Sequence, residues 1–202
     1  MRSLHGHPTD RRSRRVEPNG NDDVFVMLID GTEVTLLTTN PAGDYDHAWS
    51  PDGSKLVFTS TRGGTPDLYT MSAAGSSQQP LTGGVGGEDD LPDWSHDGTA
   101  IAFDRIFGTT GNDYEIWRIG ADGSNPVDLT TDPAHDYAPS FSADDTKIAF
   151  VSTRDGDSEI MVMNADAPNQ SPLTTNGSTE ADPDLVPPAP AQSGGVRGGF
   201  RW

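Results

Sequence analysis

Cysteine is absent from the 202 residues, which removes disulfides, thiolate metal sites and cysteine nucleophiles together. Long apolar runs are missing as well. No stretch approaches the roughly 18 apolar residues that a bilayer-spanning helix requires. Aromatic residues make up 7% of the chain and hydrophobic residues 32%, values that fit a thin-cored domain with much polar surface. Basic residues are scarce, 13 against 31 acids, for a formal net charge of -18. They are also unevenly placed. Five of them (Arg2, Arg11, Arg12, Arg14, Arg15) precede Val16, and between Asn21 and Val196 there are 29 acids and 6 bases, a net of -23. A body so acidic repels nucleic acid phosphates and anionic lipid. What is abundant is turn chemistry: 23 glycines and 16 prolines imply frequent chain reversal rather than long helices.

The ends read as disordered tails. Residues 1–21 are polar and Arg-rich with no apolar period. The Arg11-Arg12 and Arg14-Arg15 pairs invite an export reading, but Val16 leads directly into Glu17 and Pro18 with no apolar h-region. Residues 186–202 combine a polyproline-like VPPAPAQ spacer with a Gly-rich terminus.

Between the tails, three landmarks recur. The first is an aromatic followed by a turn: Trp49-Ser-Pro-Asp-Gly53, Trp94-Ser-His-Asp-Gly98 and Phe141-Ser-Ala-Asp-Asp145. The second is an acid opening a short apolar run, at Asp23, Asp67, Glu115 and Glu159. The third is a Leu-Thr pair, Leu37-Thr38, Leu81-Thr82, Leu129-Thr130 and Leu173-Thr174. Acid and Leu are 14 apart in every copy, and Leu and the next aromatic are 12, 13 and 12 apart, or 12 again if Leu185 stands in. The period is 44 to 48 residues.

Each landmark has a physical reason. In Ser50-Pro51-Asp52-Gly53, Pro presets φ, Asp bonds its own backbone and Gly accepts φ > 0. Short β-branched and aromatic runs follow, as in Lys55-Leu56-Val57-Phe58 and Lys147-Ile148-Ala149-Phe150. A glycine eight residues past three of the acids (Gly31, Gly75, Gly123) marks a second hairpin. Four strands per period of about 45 residues make a β-propeller blade, so the fold class is all-β.

The motif WSPDG, then KLVF, then Ser60-Thr61-Arg62-Gly63-Gly64, then Asp67-Leu68-Tyr69-Thr70-Met71 and Leu-Thr, resembles the TolB-type propeller repeat, a relative of the WD-repeat blade. The resemblance covers 22–185. As in that family, Pro92, Pro139 and Pro183 stand two residues before the aromatic position, with His47 the exception. The middle copy departs from the pattern, with Asp104-Arg105 and a loop three residues longer through Gly111 and Asn112. The resemblance implies envelope or exported surroundings and protein partners. No counterpart of that family's separate N-terminal α/β domain is read in these residues.

Three copies are complete, Asp44 to Thr82, Asp89 to Thr130 and Asp136 to Thr174, with two strands of a copy before them and one after. The partial copies allow closure as a small four-bladed ring. An incomplete or oligomerising array is the favoured expectation, because open edges and faces demand cover.

Catalytic constellations are not evident. There is no Gly-x-Ser-x-Gly elbow, and His5, His7, His47, His96 and His135 are scattered. The carboxylates are the better candidates. Asp44, Asp89, Asp136 and Glu180 hold one equivalent position per blade, five before the aromatic, and are expected around one mouth of the axial channel. There they would attract a basic peptide or a divalent cation such as calcium, or merely accept backbone N–H bonds in their loops. His135 joins them as a loop candidate. Arg62 and Arg154 are expected in exposed pairs with Asp67 and Glu159, and Asp155-Gly156-Asp157 has a faint calcium-loop character. The leading expectation is a non-enzymatic scaffold that binds a protein or peptide partner through loops at one face. The alternatives are an accessory propeller of a prolyl-oligopeptidase-like hydrolase or a lyase, and a calcium-dependent scaffold.

Overall fold

The computed structural model describes residues 11–16, 21–28, 30–83, 86–107, 113–131, 133–166 and 169–184. Among these there are fifteen β-strands and no helix. A first sheet holds β1 (Arg11–Val16), β2 (Asp23–Leu28) and β3 (Thr35–Leu36). The second is β4 (Asp44–Trp49), β5 (Lys55–Ser60), β6 (Asp67–Ser72) and β7 (Gln79–Pro80). The third is β8 (Glu88–Trp94), β9 (Ala100–Ile106), β10 (Tyr114–Gly120) and β11 (Val127–Asp128). The fourth is β12 (Asp136–Phe141), β13 (Lys147–Ser152), β14 (Glu159–Asn164) and β15 (Ser171–Pro172). Each is an antiparallel meander, one blade per sequence period.

The landmarks prove to be hydrogen-bonding devices. In the first turn, Ser50 Oγ donates to Asp52 Oδ1 at 2.7 Å while accepting from Lys55 N at 2.9 Å. Ser95 and Ser142 make the same pair of bonds with Asp97 and Ala100, and with Asp144 and Lys147. The last turn residue sits at positive φ, 65° for Gly53, 72° for Gly98 and 57° for Asp145, the last tolerated because a short polar side chain suits that region.

The constant 14-residue spacing is a latch between the third and fourth strands. Leu37 N donates to Val24 O, Leu81 N to Leu68 O, Leu129 N to Ile116 O and Leu173 N to Ile160 O. The threonine that follows then accepts the N–H of the residue after each acid, at 2.9, 2.9, 2.8 and 2.8 Å for Thr38, Thr82, Thr130 and Thr174. Thr38 and Thr130 return their own protons to Asp23 and Glu115. A fourth strand of two residues is thereby held where ladder bonds alone would be few.

The core lies between blades, not within them. One cluster joins Val24, Val26 and Leu37 of the first sheet to Leu56, Phe58 and Met71 of the second. Another joins Val57 and Leu68 to Trp94, Ile101, Phe103 and Ile119 of the third. The last joins Ala102, Ile116 and Leu129 to Phe141, Ile148, Phe150, Met161 and Met163 of the fourth. Leu56 and Phe58 thus face the preceding blade and Val57 the next, so both faces of β5 are buried and its sequence reads as a continuous apolar run.

Two expectations about the ends are revised. Arg11–Val16, read as tail, is a strand paired with β2 from Arg11↔Leu28 to Val16↔Asp23. Backbone groups make that ladder whatever the side chains, so RRSRRV gave no periodic signal. The first sheet therefore has three strands rather than two. At the other end, Glu180 N reaches Ser158 O at 2.8 Å, as Asp44 N reaches Asp22 O and Asp89 N reaches Pro66 O, but residues 180–184 form no strand. Among the described residues, successive sheets pack on one another, and the first and fourth share no substantial packing. The four-bladed ring is thus set aside in favour of an open array. Leu129 is 5% exposed beneath the next blade, whereas its equivalent Leu173 is 54% exposed. The remaining tail residues, 1–10 and 185–202, and Gly111 and Asn112 lie outside the described residues.

Blade stacking leaves little room at the second hairpins. Gly75 has φ +79°, and a Cβ there would lie 2.8 Å from Leu37 O of the preceding blade. Gly31, at φ +85°, would meet nothing within 4 Å. Gly75→Ala is expected to cost about 2–4 kcal/mol and Gly31→Ala about 1 kcal/mol, read as the difference between their urea unfolding midpoints. Removing the latch hydroxyl in Thr130→Val strands the buried Ile116 N–H. The expected loss is about 1–3 kcal/mol at unchanged m-value in the same unfolding measurement.

Candidate functional site

The innermost strands β4, β8 and β12 carry the groups that sequence singled out, and each is bulged at the same place. Two residues oppose one between Tyr45 and Ala48, between Asp90 and Asp93, and between Tyr137 and Ser140. The first bulge residue takes positive φ: 38° at Asp46, 47° at Leu91 and 53° at Ala138. The second is His47, Pro92 or Pro139. A proline fits there because a bulge position need not donate to the ladder.

Asp44, Asp89 and Asp136 open these strands, and each is buried, at 0%, 1% and 0% exposure. They do not form a ring of open carboxylates. Each is clasped by an arginine of its own blade. Arg62 Nη2 lies 2.9 Å from both oxygens of Asp44, and Arg154 Nη2 lies 3.2 and 2.9 Å from those of Asp136. Arg62 and Arg154 are further anchored through Nε to Ser60 and Ser152, both at 2.8 Å. The expected exposed pairs with Asp67 and Glu159 are therefore corrected to buried pairs across the first two strands. Local anchoring explains the difference: the Nε bonds to Ser60 and Ser152 hold each guanidinium on the side of the strand-opening carboxylate.

The middle blade reaches the same end by another route. It has no arginine two residues beyond β9, and Arg105 stands where Ser60 and Ser152 stand in the others. Its Nε and Nη2 still bind both oxygens of Asp89. The guanidinium lies 4.7 Å from the Trp117 ring centre and 5.2 Å from that of Phe103, contacts that favour a flat cation.

The other predicted residues do not converge. Glu180 accepts from Asn176 Nδ2 at 3.0 Å, and its backbone N–H bonds Ser158 O, the residue before an acid-led strand, as those of Asp44 and Asp89 do with Asp22 and Pro66. His135 lies beside Tyr114, ring centres 5.7 Å apart, and its backbone N–H bonds Thr153. Asp155 is exposed in a turn with Asp157 nearby, and among the described residues no three His, Asp or Glu side chains come together as a metal would require. His96 bridges blades instead: Asp145 accepts from the N–H groups of His96 and Asp97 at 2.6 and 2.8 Å.

A different set of acids is left without a cation. Asp46 is exposed on β4, Asp90 is half-buried on β8, and Asp104 is buried on β9. Burial, then repulsion by Asp46, lifts Asp90 to about 7. Burial also lifts Asp104 well above the usual carboxylate range, with Asp90, Asp46 and Asp89 adding repulsion. Sequence reasoning passed over this set. The available signal was Asp104 standing where Thr59 and Val151 stand in the neighbouring blades, after the acidic run Glu88-Asp89-Asp90.

Residues 13–106 match the family profile described as the TolB beta propeller domain. An uncharacterized protein of Agrobacterium fabrum is 33% identical over 159 residues, covering 74% of this chain and 52% of its own length. The Tol-Pal system protein TolB of Anaeromyxobacter dehalogenans is 35% identical over 128 residues, covering 60% of this chain and 27% of its own. The crystal structure of TolB from Acinetobacter baumannii superposes with a TM-score of 0.73 at 20% identity, over 93% of this chain and 47% of that one. The chain thus spans about half the length of the first of these relatives and less of the second. Blade by blade, in strand order, turn chemistry and likeness to known proteins, the chain is an open array of TolB-type β-propeller repeats.

Proposed function

We propose that this array is a non-enzymatic scaffold that holds a protein partner against the acidic, channel-facing wall formed by its innermost strands. The observation that carries the reading is the division of labour among the acids. Asp44, Asp89 and Asp136 are neutralised internally, while Asp46 and Glu88, on the same strands, remain exposed. A wall of that sign favours a partner that presents lysine or arginine, through steering and register as much as through affinity. The bulges support the reading too, since bulges at strand rims re-aim side chains at binding sites. His96 and His135 sit apart, one bonded through its N–H to Asp145 and the other beside Tyr114. The Tol-Pal name of one relative supports a protein partner and envelope surroundings.

Purified Pal, the protein paired with Tol in that relative's name, is the first probe. Titration calorimetry is expected to show saturable binding that weakens about tenfold in Asp46→Arg/Glu88→Arg and falls with added salt. Binding indifferent to both charge reversal and salt would place the contact elsewhere. No saturable binding at all would remove this partner.

A further inference from the structure

Three neighbouring carboxylates flank the third blade, Asp46 and Asp90 where it meets the second blade and Asp104 where it meets the fourth. Asp90 Oδ1 accepts from Thr59 Oγ1 at 2.8 Å and from Leu91 N at 3.1 Å, and the neighbouring Asp46 carboxylate repels its charge. Like charges held close together in a half-buried site favour a proton on one of them. Asp104 is 1% exposed. Its Oδ2 accepts from Ala138 N of the fourth sheet at 3.1 Å, while Oδ1 is buried and accepts nothing. An ionised carboxylate in that position is half unsatisfied; a protonated one is not.

We propose that Asp46, Asp90 and Asp104 form a proton-binding cluster that makes the contacts of the third blade with its two neighbours tighten on acidification and loosen above neutrality. The surrounding groups reinforce it from every side. Strand β8 adds Glu88 and Asp89, β9 adds Arg105, β10 adds Tyr114, and β5 and β12 contribute the Thr59 hydroxyl and the Ala138 N–H. Arg105 is the cation among them, and both oxygens of Asp89 already hold it. Tyr114 is itself raised by burial and then by Asp104, Asp90 and Glu88. The neighbouring blades do not repeat the device, because Thr59 and Val151 occupy the Asp104 position. The proposal stands on the cluster alone and does not depend on the partner assigned above.

The direction of the effect follows from linkage. Asp90 ionises at about pH 4 in the unfolded chain but at about 7 in the folded one, and burial raises Asp104 in the same direction, so the folded state holds more protons above that lower limit. Stability is greatest below about pH 4, falls as pH rises, and levels off above the folded value. Turn carboxylates such as Asp52 and Asp144, lowered to about 2 by bonds from Ser50 and Ser142, respond with the opposite sign and only below about pH 4. Glu115 is also lifted to about 7, by burial first, and must be separated from the cluster.

Thermal unfolding of the full chain at pH 5 and pH 8 is the test. The wild type is expected to lose roughly 5 °C in Tm across that step. Asp90→Asn and Asp104→Asn should each remove half or more of the loss, and Glu115→Gln should leave most of it. Should either Asn variant fail to fold, carboxyl ¹³C NMR of the wild type reads the cluster directly, with a midpoint near pH 7 expected for Asp90. A wild-type Tm that holds or rises between pH 5 and pH 8 overturns the proposal. So do Asn variants that keep the full loss, or cluster carboxyls that all titrate below pH 5.

Discussion

A carboxylate at the start of each innermost strand is buried, and the blade depends on that charge being balanced. One arginine does so in each complete blade, from the hairpin after the second strand in two of them and from β9 in the third. The pair ties the innermost strand to its neighbour at the end where the bulge has disturbed the ladder. It also fixes where the hairpin points, because the Arg62 and Arg154 guanidinium groups are anchored to Ser60 and Ser152 as well. A buried pair of this kind contributes modestly to net stability, but losing one partner leaves a costly unpaired charge. That asymmetry explains why the middle blade keeps the pair while changing the position that supplies it.

Stacking is the second constraint. A single four-stranded blade has two apolar faces and no interior, so its core exists only against the next blade. Gly75 and Gly123 are the contact points where a hairpin of one blade rests on the backbone of the previous one, at Leu37 and Leu81. Leu173 shows the same surface uncovered. Stability in such an array is a sum of neighbour terms, and a change at one seam stays local to it.

Set against the arginine pairs, the acidic cluster is a deliberate exception in charge. Asp104 places a carboxylate where the other blades place threonine or valine, beside residues whose charge is already unbalanced. The consequence is a cluster whose protonation, rather than a counter-ion, satisfies it. Two of its members, Asp46 and Asp90, lie on the innermost strands with the exposed Glu88, so the state of the cluster and the shape of the candidate binding wall are mechanically adjacent.

Much of the fold was legible in the residues. The 14-residue interval from acid to Leu is the length of a hairpin closed by a threonine latch, and Ser-x-Asp-Gly is a turn that bonds itself; both are local, so spacing reveals them. The prolines before the aromatics were visible as a family pattern, and the structure shows that Pro92 and Pro139 fill a bulge. The strand Arg11–Val16 was not legible, since its pairing is backbone alone and its side chains carry no period. Nor were the partners of Arg62 and Arg154, because sequence proximity to Asp67 and Glu159 favoured the wrong acids. The sequence by itself determined the blade, its turns and its repeat, because those rest on bonds within about 15 residues. Only the tertiary structure decided which acids are balanced, which remain open and whether the array closes, because burial and the distance between strands of different blades set those outcomes.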